Sequence, residues 1–389
     1  MAGDSPVRQT LTQSRLSEVL PETPMKVLIT ATSLNLAYGG PAFSVSSLAS
    51  ALARAGADVG VWSADGSALE TQLIANGVAR LGGTASEAAA AMRPDLVHDN
   101  GIWLTHNHRV AALAAQRGVP RLVSTRGMLE PWAVRHKRWK KAAAWRVYQR
   151  RDLDQAAMLH ATAPQEAQNL AALRLRPPIA MIPNGVDVPR TAPARSGGGV
   201  RTALFLGRIY PVKGLPTLID AWAQAQPEDW RLVIAGPDEA GHQREVEAAV
   251  AAAGLEDVVS FPGPVFDDEA KTALLHSADL FVLPSLSESF GMAIAEALAH
   301  GVPVVTTTAV PWPQLEARQC GWRAAPEAEA LAEVLGRATG ATSETLQAMG
   351  AAGRELIAAE FGWPKIAAEF LSLYERLVQD PTAEPQEAA

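Results

Sequence analysis

Short apolar runs, each followed by a longer stretch with helical spacing, recur along the chain, halt at a segment rich in Pro, Ser and Gly, and then begin again. In the first series the runs are KVLIT (26–30), DVGVW (58–62), DLVHD (95–99), RLVST (121–125), AMLHA (157–161) and IAMIP (179–183). In the second they are TALFLG (202–207), RLVIAG (231–236), VVSFPG (258–263), DLFVLP (279–284) and VPVVT (302–306). Apolar runs of this length suit strands buried on both faces, and parallel strands need the helical crossovers that separate them. The break, TAPARSGGG from Thr191 to Gly199, has no apolar periodicity and reads as a linker. The pattern predicts an α/β protein of two doubly wound, Rossmann-like domains facing across a cleft at the strands' C-terminal ends. The expected divisions are an N-terminal extension at 1–24, a first domain at 25–190, a linker at 191–200 and a second domain at 201–362. A helix at 363–378 is expected to pack back on the first domain, ahead of a polar tail at 379–389.

A chain of 389 residues is long for one core, which agrees with two domains. No run of 18 apolar residues is present to span a membrane, and residues 1–24 lack the apolar stretch of a secretory leader. The single cysteine, Cys320, excludes an internal disulfide and fits a reducing, cytoplasmic setting. Charge is unevenly spread, with 21 Lys and Arg against 14 Asp and Glu in residues 1–190, and 13 against 27 in the remainder. Much of the first excess lies in RHKRWKKAAAWRVYQRR (135–151), which has eight cationic residues, two Trp, one Tyr and no carboxylate. As a helix this segment suits an anionic membrane surface; it reads equally well as a solvated face whose aromatics pack inward. Nucleic acid is not an expected partner, because the overall charge of −7 is acidic and no binding motif accompanies the patch.

The string ESFGMAIAEA (288–297) follows the run 279–284 and places two carboxylates eight positions apart around a Phe-Gly break. From Gly291 the apolar spacing is helical, so Phe290, Gly291 and Met292 mark a helix start whose free N–H groups and dipole suit a phosphate. Glu296 then falls about two turns in, roughly 7–8 Å along the axis, close to the reach from a diphosphate to ribose hydroxyls. Glu288 lies on the other side of that break, where a sugar would sit. Taken singly, either glutamate reads as an ordinary surface residue. After the first strand of the second series comes GRIYPVKG (207–214), whose Arg208 and Lys213 could stabilise a departing diphosphate or simply decorate a loop. After KVLIT, Gly39 and Gly40 open a helix, either to admit a phosphate to the backbone or to make a tight turn. Neither GxGxxG nor GxxxxGK[ST] occurs at these turns, which argues against a dehydrogenase or a P-loop enzyme.

GGP (39–41), PNGVD (183–187), GRIYPVKG (207–214) and PSLSESFGMAIAEALAHGVPVV (284–305) together resemble the family-four retaining glycosyltransferases, glycosyl transferases group 1, of GT-B fold. The stretches DLVHDNGIW (95–103) and STRGMLEPWA (124–133) are similar to a subgroup that builds bacterial surface polysaccharides. The resemblance implies transfer of a hexose from a UDP- or GDP-linked donor to a saccharide acceptor, polyprenyl-diphosphate-linked, with retained anomeric configuration and with no cofactor or essential metal. It also implies that Arg208 and Lys213 bind the diphosphate, Glu288 the sugar hydroxyls and Glu296 the ribose, while backbone from Gly263 to Val265 holds the base. Relatives carry a histidine near the reacting sugar where this chain has Arg126, which leaves the acceptor side to Arg126 and to His98. His98 reads equally as a buried structural histidine. His106 and His108 have no Cys or carboxylate cluster nearby and do not read as a metal site. A nucleotide-sugar-binding protein without activity would need no such charged set, and a sugar-nucleotide epimerase of the same fold is the competing enzymatic reading.

Overall fold

The computed structural model describes residues 23–35, 40–67, 76–135, 138–190, 199–265 and 267–381. Gly39, nearly all of the expected N-terminal extension, and most of the linker and tail lie outside the described residues.

The doubly wound α/β reading holds. Seven strands form a sheet in the order β3-β2-β1-β4-β5-β6-β7: β1 Lys26–Ala31, β2 Asp58–Ser63, β3 Ala79–Leu81, β4 Leu96–Asn100, β5 Arg121–Ser124, β6 Met158–Ala161 and β7 Ile179–Met181. Six more form a second sheet in the order β10-β9-β8-β11-β12-β13: β8 Arg201–Leu206, β9 Trp230–Ala235, β10 Val259–Gly263, β11 Leu280–Leu283, β12 Val304–Thr307 and β13 Gly321–Ala324. All pairings between these strands are parallel. Helices cover both faces, so central residues such as Leu28, Ile29, Phe205 and Phe281 have no exposed surface. Strands β3 and β13 were marked by no apolar run. Each is a sheet edge, and the sequences ARL and GWRA meet the weaker burial demands of that position.

Strand order reverses between β1 and β4 in the first sheet and between β8 and β11 in the second. Such a reversal opens a crevice at the strands' carboxyl ends, because the following helices diverge to opposite faces. The segments that follow β8 and β11 are GRIYPVKG and PSLSESFG, so the fold brings the two charged motifs to one crevice. Loops and helices at the carboxyl ends of the two sheets meet each other: the Thr162 hydroxyl lies 3.2 Å from the Ser289 carbonyl, and Lys271 Nζ lies 4.3 Å from the centre of the Phe43 ring.

The chain returns to the first sheet at its end. Helix Trp363–Gln379 buries Trp363, Ile366, Ala367, Phe370, Leu373, Tyr374 and Leu377, a stripe at helical spacing, against residues of β1, β2 and β4. The two passages between the sheets run side by side. The Val186 N–H donates to the Phe361 carbonyl at 2.8 Å, and Gly185 abuts the Trp363 ring so closely that a Cβ there would lie 2.3 Å from it.

Candidate active site

Lys213 ends a 3-10 turn, Pro211–Lys213, that Gly214 closes in the left-handed conformation at φ +67°. Glycine is required there twice over, since a Cβ would also lie 2.3 Å from the Pro284 carbonyl oxygen. This close approach, with the Leu286 N–H donating to the Val212 carbonyl at 2.8 Å, locks the loop after β8 to the loop after β11. The consequence is a direct ion pair. Lys213 Nζ lies 2.5 Å from Glu288 Oε1, the same oxygen accepts from the Ser285 hydroxyl at 2.7 Å, and the two charged side chains are 15% and 14% exposed. The Ser285 carbonyl is in turn held by the Thr307 hydroxyl at 2.6 Å. Arg208 stands apart from this pair, about half exposed, with Nη1 2.5 Å from Glu239 Oε2.

Helix Met292–Ala299 starts directly after Gly291, so Glu296 is its fifth residue, somewhat nearer the helix start than the expected two turns. The N–H groups of Met292 and Ala293 have no acceptor within that helix, whereas the Ile294 N–H already donates to the Gly291 carbonyl at 2.9 Å. Phe290 contributes no side chain to the crevice: it is buried against Trp312 and Phe361, and its carbonyl accepts from Trp312 Nε1 at 2.5 Å. That bond fixes the backbone at the helix start. Glu296 pairs with Lys271 at 3.1 Å, and Lys271 also lies 3.4 Å from Asp268. Burial alone would push the Lys271 ammonium down, but Glu296 and Asp268 more than offset it and hold it above the ordinary lysine value. Spacing gave no hint of Lys271, because a single lysine in helix Asp268–Ser277 reads as a solvated side chain. Gly263 ends β10 and its carbonyl accepts from the Gly236 N–H at 3.0 Å; Val265 packs against the second core, and Gly40 begins helix Gly40–Arg54.

On the first domain's side, Arg126 has φ +51° and directs its guanidinium to two amides. Nε and Nη2 donate to Asn100 Oδ1 at 3.1 and 2.7 Å, and Nη1 donates to Asn184 Oδ1 at 2.7 Å. Burial pulls it down to about 10, against the opposing influence of Glu166 and Tyr374. Nearby Glu130, bonded to Asn169 at 2.5 Å, is raised to about 7 by burial and by Glu166.

His98 corrects the expectation of an acceptor-side histidine at the cleft. It is fully buried beneath helix Trp363–Gln379, in a chain of hydrogen bonds whose direction is fixed by its last member. His160 Nε2 faces the Ile182 carbonyl at 2.7 Å and must donate, so its Nδ1 accepts from the Ser124 hydroxyl at 2.6 Å. Ser124 then accepts from His98 Nε2 at 2.6 Å, and His98 Nδ1 accepts from the Tyr374 hydroxyl at 2.6 Å. Both rings are neutral in this arrangement. Burial, reinforced between the two rings and by Arg126, pulls His98 well below the ordinary histidine value, and burial with Arg126 pulls His160 to about 4.

His106 and His108 have separate partners, the Thr32 hydroxyl at 3.2 Å and Asp152 at 2.7 Å. Among the described residues no group of three or more His, Cys, Asp or Glu side chains is placed to hold a metal ion, and no helix is long and apolar enough to cross a membrane. The basic segment is helical at Arg138–Ala144, Trp145–Gln149 and Arg150–Asp154. Only one of its three aromatics is displayed. Trp139 is 72% exposed, whereas Trp145 packs beside Trp103 and the Tyr148 hydroxyl donates to the Trp103 carbonyl at 2.5 Å.

Comparison with known proteins accounts for both halves of this crevice. The model of the glycosyl transferase 4-like domain matches residues 39–185, and that of the glycosyl transferases group 1 matches residues 200–339. Over 330 residues the chain is 31% identical to the D-inositol 3-phosphate glycosyltransferase 2 of Catenulispora acidiphila, covering 75% of each chain. The chain belongs to the glycosyl transferases group 1. This glycosyltransferase is also similar to the GDP-mannose:cellobiosyl-diphosphopolyprenol alpha-mannosyltransferase of Xanthomonas campestris, at 29% identity over 224 residues, 57% of this chain and 58% of that one. In fold it matches HepE of Anabaena, solved in complex with UDP and glucose, with a TM-score of 0.70 at 19% identity over 91% of this chain and 100% of that one.

Proposed function

We propose that this glycosyltransferase moves a hexose from a nucleoside diphosphate donor to a saccharide acceptor carried on a polyprenyl diphosphate, with retention at the anomeric carbon, in the assembly of a bacterial surface polysaccharide. The observation that carries the reading is the Lys213–Glu288 pair at the switch point of the second sheet, beside the start of helix Met292–Ala299. A cation, a carboxylate and a helix N-terminus within one crevice match the phosphates and hydroxyls of a nucleotide sugar. Names of relatives add support, since one uses GDP-mannose with a diphosphopolyprenol acceptor and HepE is solved with UDP.

The chemistry is a front-face displacement. The bond from C1 of the sugar to the diphosphate breaks with its electron pair passing to the phosphate oxygen, while the acceptor oxygen bonds to C1 from the same side. The hydroxyl proton passes to that phosphate oxygen. Arg208, Lys213 and the amides at the helix start stabilise the charge that develops, and Glu288 and Glu296 orient sugar and ribose. Incubation with radiolabelled UDP- and GDP-hexoses and a lipid-linked acceptor, with the product's anomeric configuration read by NMR, tests the reading. Inversion rejects the mechanism, and hydrolysis or epimerisation without transfer rejects the activity.

The acceptor's anchor motivates the second half of the proposal, docking of Arg138–Asp154 on an anionic membrane. Trp139 and Val147, 72% and 75% exposed, project among the exposed cations Arg138, Lys140, Arg146 and Arg151. Exposed apolar side chains among exposed cations are what an anionic lipid surface binds. Sedimentation with anionic but not neutral vesicles at low salt is expected, and equal recovery with both contradicts it.

A further inference from the structure

Glu166 is 2% exposed and accepts four hydrogen bonds, a full complement for a carboxylate. Its Oε1 takes the Thr125 hydroxyl and the Gly127 N–H, each at 2.7 Å. Those residues flank Arg126, so one oxygen pins both sides of a residue whose backbone is left-handed at φ +51°, a conformation that non-glycine residues rarely hold without such support. Its Oε2 takes the Thr162 N–H and the Thr162 hydroxyl, each at 2.8 Å. The Thr162 hydroxyl also lies 3.2 Å from the Ser289 carbonyl, in the second domain and next to Glu288. A hydroxyl has one proton, so Thr162 divides it between a carboxylate of its own domain and a carbonyl of the other.

We propose that Glu166 is a positioning residue for glycosyl transfer: it sets the backbone that aims Arg126 at Asn100 and Asn184, and through Thr162 it ties that side of the cleft to the loop carrying Glu288. The inference rests on the reading of this cleft as the transfer site, and it adds a specific dependence. Glu288 and Lys213 lie in the second domain and hold the donor without help from Glu166, whereas the alignment of donor and acceptor passes through it. Loss of Glu166 therefore lowers turnover and spares nucleotide binding.

The test uses the full chain with Glu166→Gln and Thr162→Val. In Glu166→Gln an amide NH₂ faces donors it cannot accept from, so Arg126 leaves the asparagines and kcat falls by about 10²-fold, the scale of a misplacement of about 1 Å. UDP or GDP affinity by calorimetry stays within about twofold, because the mutation removes no ground-state contact to the nucleotide. Thr162→Val keeps the N–H bond to Glu166 but loses the hydroxyl, and with it both the second Thr162 bond to Glu166 and the link to Ser289; about a tenfold fall in kcat is expected, again as an alignment effect. Glu166→Asp, which retains the charge, is expected to recover part of the loss. A crystal structure of Glu166→Gln with Arg126 unmoved overturns the proposal whatever the activity, and so does unchanged kcat with Arg126 displaced. Absence of transfer by the unmutated chain counts against the proposed function, and the position of Arg126 then decides the inference by itself.

Discussion

The Lys213 ammonium lies 2.5 Å from Glu288 Oε1, although the two side chains are expected to serve opposite ends of one donor. In the proposed function, a diphosphate approaching Lys213 would compete with Glu288, and a carboxylate freed by that exchange could accept sugar hydroxyls. One internal ion pair would then give way to two ligand contacts, coupling recognition of the phosphates to recognition of the sugar.

Lys213→Ala is expected to lower kcat by about 10²–10³-fold, the usual effect of deleting a group that stabilises developing charge. The melting temperature should change little, because the loop is held independently by Gly214 against Pro284 and by the Leu286 to Val212 bond. Steady-state rates beside a melting curve check this, and near-normal turnover would refute it.

Glu296 and Lys271 should act as a coupled pair in donor binding. Glu296→Gln is expected to raise the donor KM with less effect on kcat. In a double-mutant cycle with Lys271→Met, read as nucleotide affinity, the coupling should be about 0.5–3 kcal/mol, as for contacting residues in one network. Additive effects would show that the 3.1 Å pair has no part in binding.

Acidification should loosen the joint between the last helix and the first sheet. His98 and His160 are both held below their unfolded value near 6.5, His160 at about 4, so between those limits the unfolded chain binds protons that the folded chain refuses. Their contribution to stability is fully present above about pH 6.5 and declines as pH falls toward 4. Urea unfolding at pH 7 and pH 5 should show a larger loss for the unmutated chain than for His160→Gln; equal losses would contradict the neutral chain of hydrogen bonds.

Gly185→Ala should destabilise by about 1–3 kcal/mol, the range for overpacking, since the added methyl lies 2.3 Å from the Trp363 ring. Gly336→Ala is the control. It sits in helix Ala328–Thr339 with nothing within 4 Å of the new Cβ, and a gain of up to about 1 kcal/mol is expected from helix propensity. Thermal melts of the two variants should therefore shift in opposite directions.

Apolar runs made the central strands legible, because a strand covered on both faces is mostly apolar and holds a polar residue only where a partner satisfies it. The edges β3 and β13 escaped because an edge carries no such demand. The positions of Lys213, Glu288 and Glu296 in the fold were legible since each follows a recognisable strand or helix start. Lys271, which pairs with Glu296, and Glu166, which holds the backbone around Arg126, were not, for they come from helices whose approach depends on tertiary packing. His98 shows the same limit from the other side: position 98 reads as the end of a strand, but its cover, Tyr374, arrives from 276 residues further along.

Because Val186 is bonded to Phe361, and Arg354 reaches the Pro189 carbonyl, the described residues of the two passages between the sheets are tied together as a paired leaf. Rotation about the line through that leaf leaves its bonds intact, whereas sliding or twisting across it would tear them. A motion that parts the two sheets and keeps those bonds is expected to be a rotation about that line. One pair of labels, on either side of Thr162 and Ser289, would follow the whole motion as one distance.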